Sequence, residues 1–196
     1  MSSKAALIIF DGVEPIESMT TLDVLSRAGY DVTLISIHNQ DTVNGAFGMT
    51  LKPHTVLSRV QNQLYDIVVM PGGPGSNEER NHQNKDLHLF LKKHRDQDKF
   101  FCAICAGVLT LAHAGVVRDK QITSWPAVRE KVKSHCRTYL NQRVVVDGKT
   151  ITSQGPGTAM QFALSIVKAT MGKEAAVKVG QGILAAEVEL EHLHDQ

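Results

Sequence analysis

The sequence lacks the features that would take it out of the ordinary globular proteins. No stretch approaches the ~18 consecutive apolar residues that a membrane-spanning helix needs, so a helical membrane protein is not expected. Neither sign of charge is in excess. Lys and Arg total 21 against 20 Asp and Glu, and a formal charge of +1 gives no electrostatic reason to expect nucleic acid or an anionic membrane as partner. Cysteine is scarce and odd in number. Three in 196 residues argue for free thiols in a reducing compartment, the cytoplasm by default, rather than a disulfide framework. The apolar stretch Ala5 to Phe10 is too brief for a secretory h-region and lacks a cleavage site. With only 6 Pro, 15 Gly and no biased run, the composition is neither disordered nor collagen-like.

What is present suits one self-sufficient domain over residues 1–196, with 42% hydrophobic residues and enough length to bury about 70% of its unfolded surface. Apolar runs of strand length alternate with segments of helical period, the pattern of a mostly parallel sheet covered by helices on both faces. Strands are expected over Ala5 to Phe10, Tyr30 to Ser36, Ile67 to Met70, Phe100 to Ile104 and Gln121 to Ser124. Helices are expected over Pro15 to Leu25, stopped by Gly29, over Leu87 to Lys93, over Ala106 to Ala114, closed by Gly115, and over Thr158 to Ala169 and Glu174 to Val179. Asn44-Gly45 and Phe47-Gly48 mark a small edge hairpin, and Asp147-Gly148 turns a second hairpin between Val144 to Val146 and Thr150 to Thr152. The polar stretch 187–196 reads as a tail that frays or docks as a helix.

Chemistry concentrates where Phe100-Phe101-Cys102-Ala103-Ile104-Cys105-Ala106-Gly107 passes from strand to helix. A nucleophile on a sharp strand-to-helix turn needs small neighbours, which Ala103, Ala106 and Gly107 supply. A cysteine at a helix N-terminus is expected to have a lowered pKa, and a buried core cysteine is the equal competitor. Cys102 and Cys105 also spell C-x-x-C. A dithiol or zinc reading is disfavoured because the first cysteine lies within the strand and no second ligand pair follows. Cys102 is therefore assigned to the core and Cys136 to a surface or partly buried position. Met70-Pro71-Gly72-Gly73 follows a buried strand, where glycine lets backbone N–H groups approach a ligand, or simply makes a tight turn. With Cys105 it would form an oxyanion niche from Gly72, Gly73 and the Ala106 N–H. None of the nine histidines is placed as a partner, and His113 is about 12 Å along a helix from Cys105. Glu17 is the carboxylate candidate, with a dipole-favoured surface glutamate as the bland alternative.

Glu14-Pro15-Ile16-Glu17, Met70-Pro71-Gly72-Gly73, Ala103-Ile104-Cys105-Ala106-Gly107 and Thr152-Ser153-Gln154-Gly155-Pro156-Gly157-Thr158 occur in that order. Together they resemble the ThiJ/PfpI superfamily, in the branch containing the parkinsonism-associated deglycase and bacterial YajL. The resemblance implies a flavodoxin-like α/β sandwich, a homodimer, catalytic Cys105 and a protonated Glu17, and no cofactor or metal. It places Trp125, Pro126, Gly155 and Pro156 in the pocket lining. Its peptidase branch has His after the nucleophile, where this chain has Ala106. The related glutamine amidotransferases have G-x-C-x-G and a later H-x-E, against Ala103 and no H-x-E here. Trp125 stands where deglycase-type relatives carry a histidine, Phe47 where they carry an arginine, and Gly45 and Lys52 where they carry further cysteines, while Arg27 is kept. No intersubunit disulfide is expected.

The implied activity is a cysteine-dependent, glutathione-independent glyoxalase or deglycase acting on small α-oxoaldehydes or glycated side chains. The rival is an oxidative-stress sensor and holdase chaperone in which Cys105 is the oxidisable thiol. A thiamine-biosynthesis label, which some relatives carry, finds no thiazole or phosphate machinery in the sequence.

Overall fold

Continuous apolar runs become strands buried on both faces, and they assemble into one seven-stranded sheet. The computed structural model describes residues 3–186 and 189–190. In chain order the elements are β1 (Lys4–Ile9), α1 (Pro15–Arg27), β2 (Asp31–Ser36), β3 (Val43–Asn44), β4 (Thr50–Leu51), β5 (Thr55–Val56), α2 (Leu57–Val60), β6 (Ile67–Met70), α3 (Glu79–His82) and α4 (Lys85–Asp96). They continue with β7 (Phe100–Ile104), α5 (Val108–His113), β8 (Gln121–Ile122), α6 (Arg129–Lys133), β9 (Thr138–Tyr139), β10 (Val144–Asp147), β11 (Thr150–Ser153), α7 (Ala159–Met171) and α8 (Lys173–Gly182).

The sheet order is β10-β11-β7-β6-β1-β2-β5, parallel throughout except that β10 runs antiparallel to β11. Within it, β2-β1-β6-β7-β11 is the flavodoxin-like order, in which the direction of winding reverses between β1 and β6. Ligands of such sheets bind beyond the carboxyl ends of the strands at that reversal. Register brings the ends level: Leu7 pairs with Val69, Met70 with Ala103, and Ile104 with Ser153.

The helix entering this edge is set by its first residues. Glu14 caps α1 by accepting the Glu17 N–H at 2.7 Å, Pro15 occupies the first turn, and Gly29 leaves the far end at φ 92°. On α4, Leu87, Phe90, Leu91 and His94 are buried as one stripe. His94 is a core histidine: its Nε2 accepts the Tyr65 N–H at 3.0 Å, so its Nδ1–H donates to the Phe90 carbonyl at 2.8 Å. Burial holds its pKa below the usual histidine value.

Both expected hairpins form, β3 with β4 and β10 with β11. Two expected elements are shorter. The helix after Cys105 starts at Val108 because residues 105–107 make a 3-10 turn. The strand expected to Ser124 stops at Ile122, because the Thr123 N–H turns to Thr152 Oγ1 at 2.9 Å and the Trp125 N–H to the Cys105 carbonyl at 3.3 Å. The short elements α2, α3, α6, β5 and β9 show no period in the sequence and were not anticipated. The tail expected at 187–196 lies outside the described residues except at 189–190.

Candidate active site

The ends of β1, β6 and β7 lie side by side at the reversal, and each contributes one part of a site. Cys105 follows β7 directly with φ 62°, a left-handed conformation that costs a non-glycine residue roughly 1–2 kcal/mol. Close packing enforces it. A Cβ on Gly107 would stand 2.3 Å from the Met70 carbonyl oxygen, and one on Gly72 would stand 2.7 Å from Cys105 Cβ and 2.8 Å from the Ala106 nitrogen. The small residues around the cysteine are thus a steric requirement of the elbow.

Glu17 arrives from the first turn of α1 and is fully buried. Its Oε2 accepts the Gly72 N–H at 2.7 Å. Among the described residues Oε1 has no hydrogen-bond partner, and the Cys105 thiol is the polar side chain coupled to this carboxyl. Burial raises the Glu17 pKa to about 7, against the pull of the Cys105 and Gly72 contacts and with a push from the Glu14 charge. Glu14, not among the expected site residues, therefore both caps the helix that carries Glu17 and biases its proton. A carboxylate just before Pro15 was the available sign of an N-cap.

The Cys105 thiol departs from expectation. A lowered pKa was expected from a helix N-terminus, but burial pushes it well above the usual cysteine range, with the Glu17 charge and hydrogen bond adding to the rise. The N–H groups of Ala106 and Gly73 oppose this without overcoming it. The physical reason is local: Cys105 is only 8% exposed, beside a carboxyl, and α5 begins three residues later and is only six residues long. Burial favours the protonated form of both groups, and with the Glu17 pKa raised to about 7 its ionised form is available near neutrality to take the thiol proton.

The niche is built from two amides rather than three. Gly73 and Ala106 direct their N–H groups at the cysteine sulfur, while the Gly72 N–H expected there is occupied by Glu17. Gly73 needs its φ of 124°, and a Cβ on it would stand 2.2 Å from the Gly12 carbonyl oxygen. Hydrogen bonds from the Glu14 N–H to the Gly72 carbonyl (2.9 Å) and from the Gly75 N–H to the Gly12 carbonyl (3.2 Å) tie this loop to the one after β1.

Of the expected lining residues, the Trp125 backbone bonds to the Cys105 carbonyl and its indole lies against Gly155. Pro126 is exposed and Pro156 half-buried, each opening a short 3-10 turn beside these two residues. Cys102 is fully buried and unpaired, and Cys136 half-buried, as expected. No group of three His, Cys, Asp or Glu side chains able to hold a metal ion occurs among the described residues. The His113 ring contacts are to His82 and His135.

Residues 3–169 match the model of the DJ-1/PfpI family. The chain is 38% identical over 181 residues to Protein DJ-1 homolog B of Arabidopsis thaliana, covering 91% of this chain and 41% of that protein. It spans less than half the length of that relative and of Arabidopsis DJ-1 homolog A, 47% of which it covers. It is 35% identical over 175 residues to the Caenorhabditis elegans protein named glutathione-independent glyoxalase DJR-1.2, covering 88% of this chain and 92% of that one. Among solved structures, oxidized Toxoplasma gondii DJ-1 aligns with a TM-score of 0.88 at 29% identity, over 94% of this chain and 100% of that chain. With its elbow, its glycine loop and most of its length accounted for in this way, the chain belongs to the DJ-1/PfpI family.

Proposed function

We propose that the protein is a cysteine-dependent, glutathione-independent glyoxalase that also releases early glyoxal adducts from side chains. The observation that carries this reading is the carboxyl of Glu17, buried, titrating near pH 7 and coupled to a thiol faced by two backbone N–H groups. A nucleophile, a proton carrier poised near neutrality and an oxyanion niche are the parts that the reaction needs. The name of the Caenorhabditis elegans relative supports the same chemistry.

With methylglyoxal, Cys105 sulfur bonds to the aldehyde carbon while the thiol proton passes through Glu17 to the aldehyde oxygen, whose developing charge the Gly73 and Ala106 N–H groups stabilise. The product is a hemithioacetal, and Glu17 is again a carboxylate. It then takes the proton from the former aldehyde carbon, giving an enediolate, and delivers it to the neighbouring carbon while the hydroxyl proton on the first carbon passes to the oxygen on the second, leaving a thioester. Water cleaves the thioester, releasing lactate and the thiol. Net addition of one water balances the sequence, with no external redox partner. On a glycated side chain the same proton transfers end in release of the unmodified residue.

The test is lactate formation from methylglyoxal without glutathione in a non-amine buffer, with Cys105→Ser and Glu17→Gln as controls. Lactate above the blank, lost in both variants, is the expected result. Undiminished turnover in Cys105→Ser would overturn the reading. A second reading is that Cys105 is a sensor thiol oxidised by peroxide to a sulfinate, which the same two N–H groups and a protonated Glu17 would hold. It is favoured by the oxidized state in which the Toxoplasma gondii relative was solved. Its mark is a selective gain of two oxygens at Cys105 in intact mass, without lactate formation.

A further inference from the structure

Trp125 is the chain's single tryptophan, and its surroundings give it a task that the proton chemistry leaves unassigned. Its backbone is pinned to the elbow by the N–H bond to the Cys105 carbonyl at 3.3 Å. The preceding residue is held as well: the Tyr139 hydroxyl donates to the Ser124 carbonyl at 3.1 Å, and Ser124 is buried. Pro126 fixes the following turn.

The indole has one face occupied. A Cβ placed on Gly155 would lie 3.0 Å from Cε3 and 3.2 Å from Cζ3 of the ring, so the indole rests on the glycine backbone. That backbone is itself rigid. The Gly155 N–H donates to Thr158 Oγ1 at 3.1 Å, the Thr158 N–H returns to the Gly155 carbonyl at 2.8 Å, and Ser153 Oγ meets Thr158 Oγ1 at 2.6 Å. Ser153, two residues before Gly155, pairs with Ile104, the residue that precedes Cys105. Trp125 remains 44% exposed at this position, although most tryptophan side chains are covered in a folded domain. Ile16, next to Glu17, is 54% exposed. The immediate neighbours of Trp125, Ser124 and Pro126, bring no charge to this wall.

We propose that the Trp125 indole, seated on Gly155, is the wall of a substituent subsite that makes aryl-substituted α-oxoaldehydes of the phenylglyoxal class better substrates than methylglyoxal. The proposal rests on the reading of Cys105 and Glu17 given above and adds to it the substrate class. The sulfur and proton steps are unchanged, and phenylglyoxal plus one water gives mandelate. Trp125 is a specificity residue: an aryl group stacked on the ring gains contact that a methyl group cannot match.

Two measurements test it. In the first, kcat/KM is determined for phenylglyoxal and for methylglyoxal. The expected ratio is at least about tenfold in favour of the aryl substrate, mainly through KM. It is expected to fall at least about fivefold in Trp125→Ala and to be largely retained in Trp125→Phe. Gly155→Ala, whose extended backbone accepts alanine, displaces the ring without removing it and is expected to lower the ratio too. The second uses the only indole as its own reporter. Mandelate, which lacks the aldehyde, is titrated against tryptophan emission beside lactate, and mandelate is expected to bind at least about tenfold more tightly. A ratio that is the same in Trp125→Ala as in the native protein overturns the subsite even when methylglyoxal is converted. So does emission indifferent to mandelate with an indole shielded from iodide, the result if a second copy covers it. Tight mandelate binding without turnover of either aldehyde retains the subsite and overturns the glyoxalase reading instead.

Discussion

Cys102 and Cys105 stand three residues apart on one strand and its elbow, and burial raises the pKa of both thiols. Their surroundings differ in kind. Cys102 pairs in register with Val69 and Ile151, is fully buried and has desolvation as the sole cause of its rise. Cys105 has a left-handed backbone, a carboxyl able to take its proton, and two N–H groups aimed at its sulfur. Burial alone makes a cysteine inert; burial beside a proton acceptor and amide donors makes one whose reactivity appears when a substrate draws the proton away. The chemistry belongs to the elbow rather than to the residue type.

The contrast is broken most directly by chemical labelling. In a Cys136→Ser background, which removes the half-buried third thiol, native protein treated with iodoacetamide should modify Cys105 more than about 1,000-fold faster than Cys102. Cys102 is reached only through unfolding, whose cost sets that gap. After denaturation the two rates should be alike. Comparable native rates, read by peptide mass spectrometry, would dissolve the distinction.

Glycine supports the elbow from outside, and a pair of substitutions isolates how. Gly73→Ala should cost about 3–4 kcal/mol, since φ 124° is hostile to alanine and the new Cβ would stand 2.2 Å from the Gly12 oxygen. Gly115→Ala shares a positive φ, 73°, but its Cβ would meet nothing within 4 Å, so about 1 kcal/mol is expected. Urea unfolding of both variants separates strain at the turn from close approach at the site. Equal losses would mean that packing around Gly73 contributes nothing.

The same contrast explains what could be read from the sequence. β6 and β7 fall at Ile67–Met70 and Phe100–Ile104, as expected, because a strand buried on both faces is a continuous apolar run with polar residues at its boundary. The elbow was legible because the small residues Ala103, Ala106 and Gly107 flank the cysteine in sequence, although the atom that bars a Cβ at Gly107, the Met70 carbonyl oxygen, belongs to another strand. Which distant groups meet at the site left no such trace. The Gly72 amide is 55 residues from the carboxylate it serves, and the indole of Trp125 lies on a glycine thirty residues later. The direction of the Cys105 pKa was misjudged for the same cause: a helix start is local, whereas burial and Glu17 come from the assembled fold. His94 likewise sits in a strongly charged segment and is fully buried, because Tyr65 approaches from another part of the chain.

Glu17 sharpens the comparison through pH. A carboxyl raised from 4.5 to about 7 in the folded state makes the unfolded chain the easier one to ionise. The associated stability is fully present below about pH 4.5 and is lost as pH rises toward 7. The difference corresponds to roughly 3 kcal/mol, from ~1.4 kcal/mol per pKa unit. Glu17→Gln keeps an acceptor for the Gly72 N–H and cannot ionise. It should therefore unfold at higher urea concentration at pH 8, by about 2–3 kcal/mol, with the advantage fading at pH 4. It should also abolish turnover. A variant that gains stability while losing activity marks a group kept for function; one equally destabilised at both pH values would make Glu17 a structural acceptor only.

The smallest effect is expected at Cys102. Replacing it with alanine removes one buried sulfur and leaves a void smaller than a missing leucine branch would, so the loss should be about 1 kcal/mol. Among the described residues no hydrogen bond contributes to its pKa shift, and its register neighbours Val69 and Ile151 are apolar. Turnover of an α-oxoaldehyde and peroxide uptake at Cys105 should both stay within about twofold of the native protein, because the backbone that places the elbow is held by β6 and β11 on either side. A large loss of Cys105 reactivity in Cys102→Ala, with the fold intact by circular dichroism, would mean that the two thiols act together. The C-x-x-C spacing would then have a meaning that the strand geometry denies it.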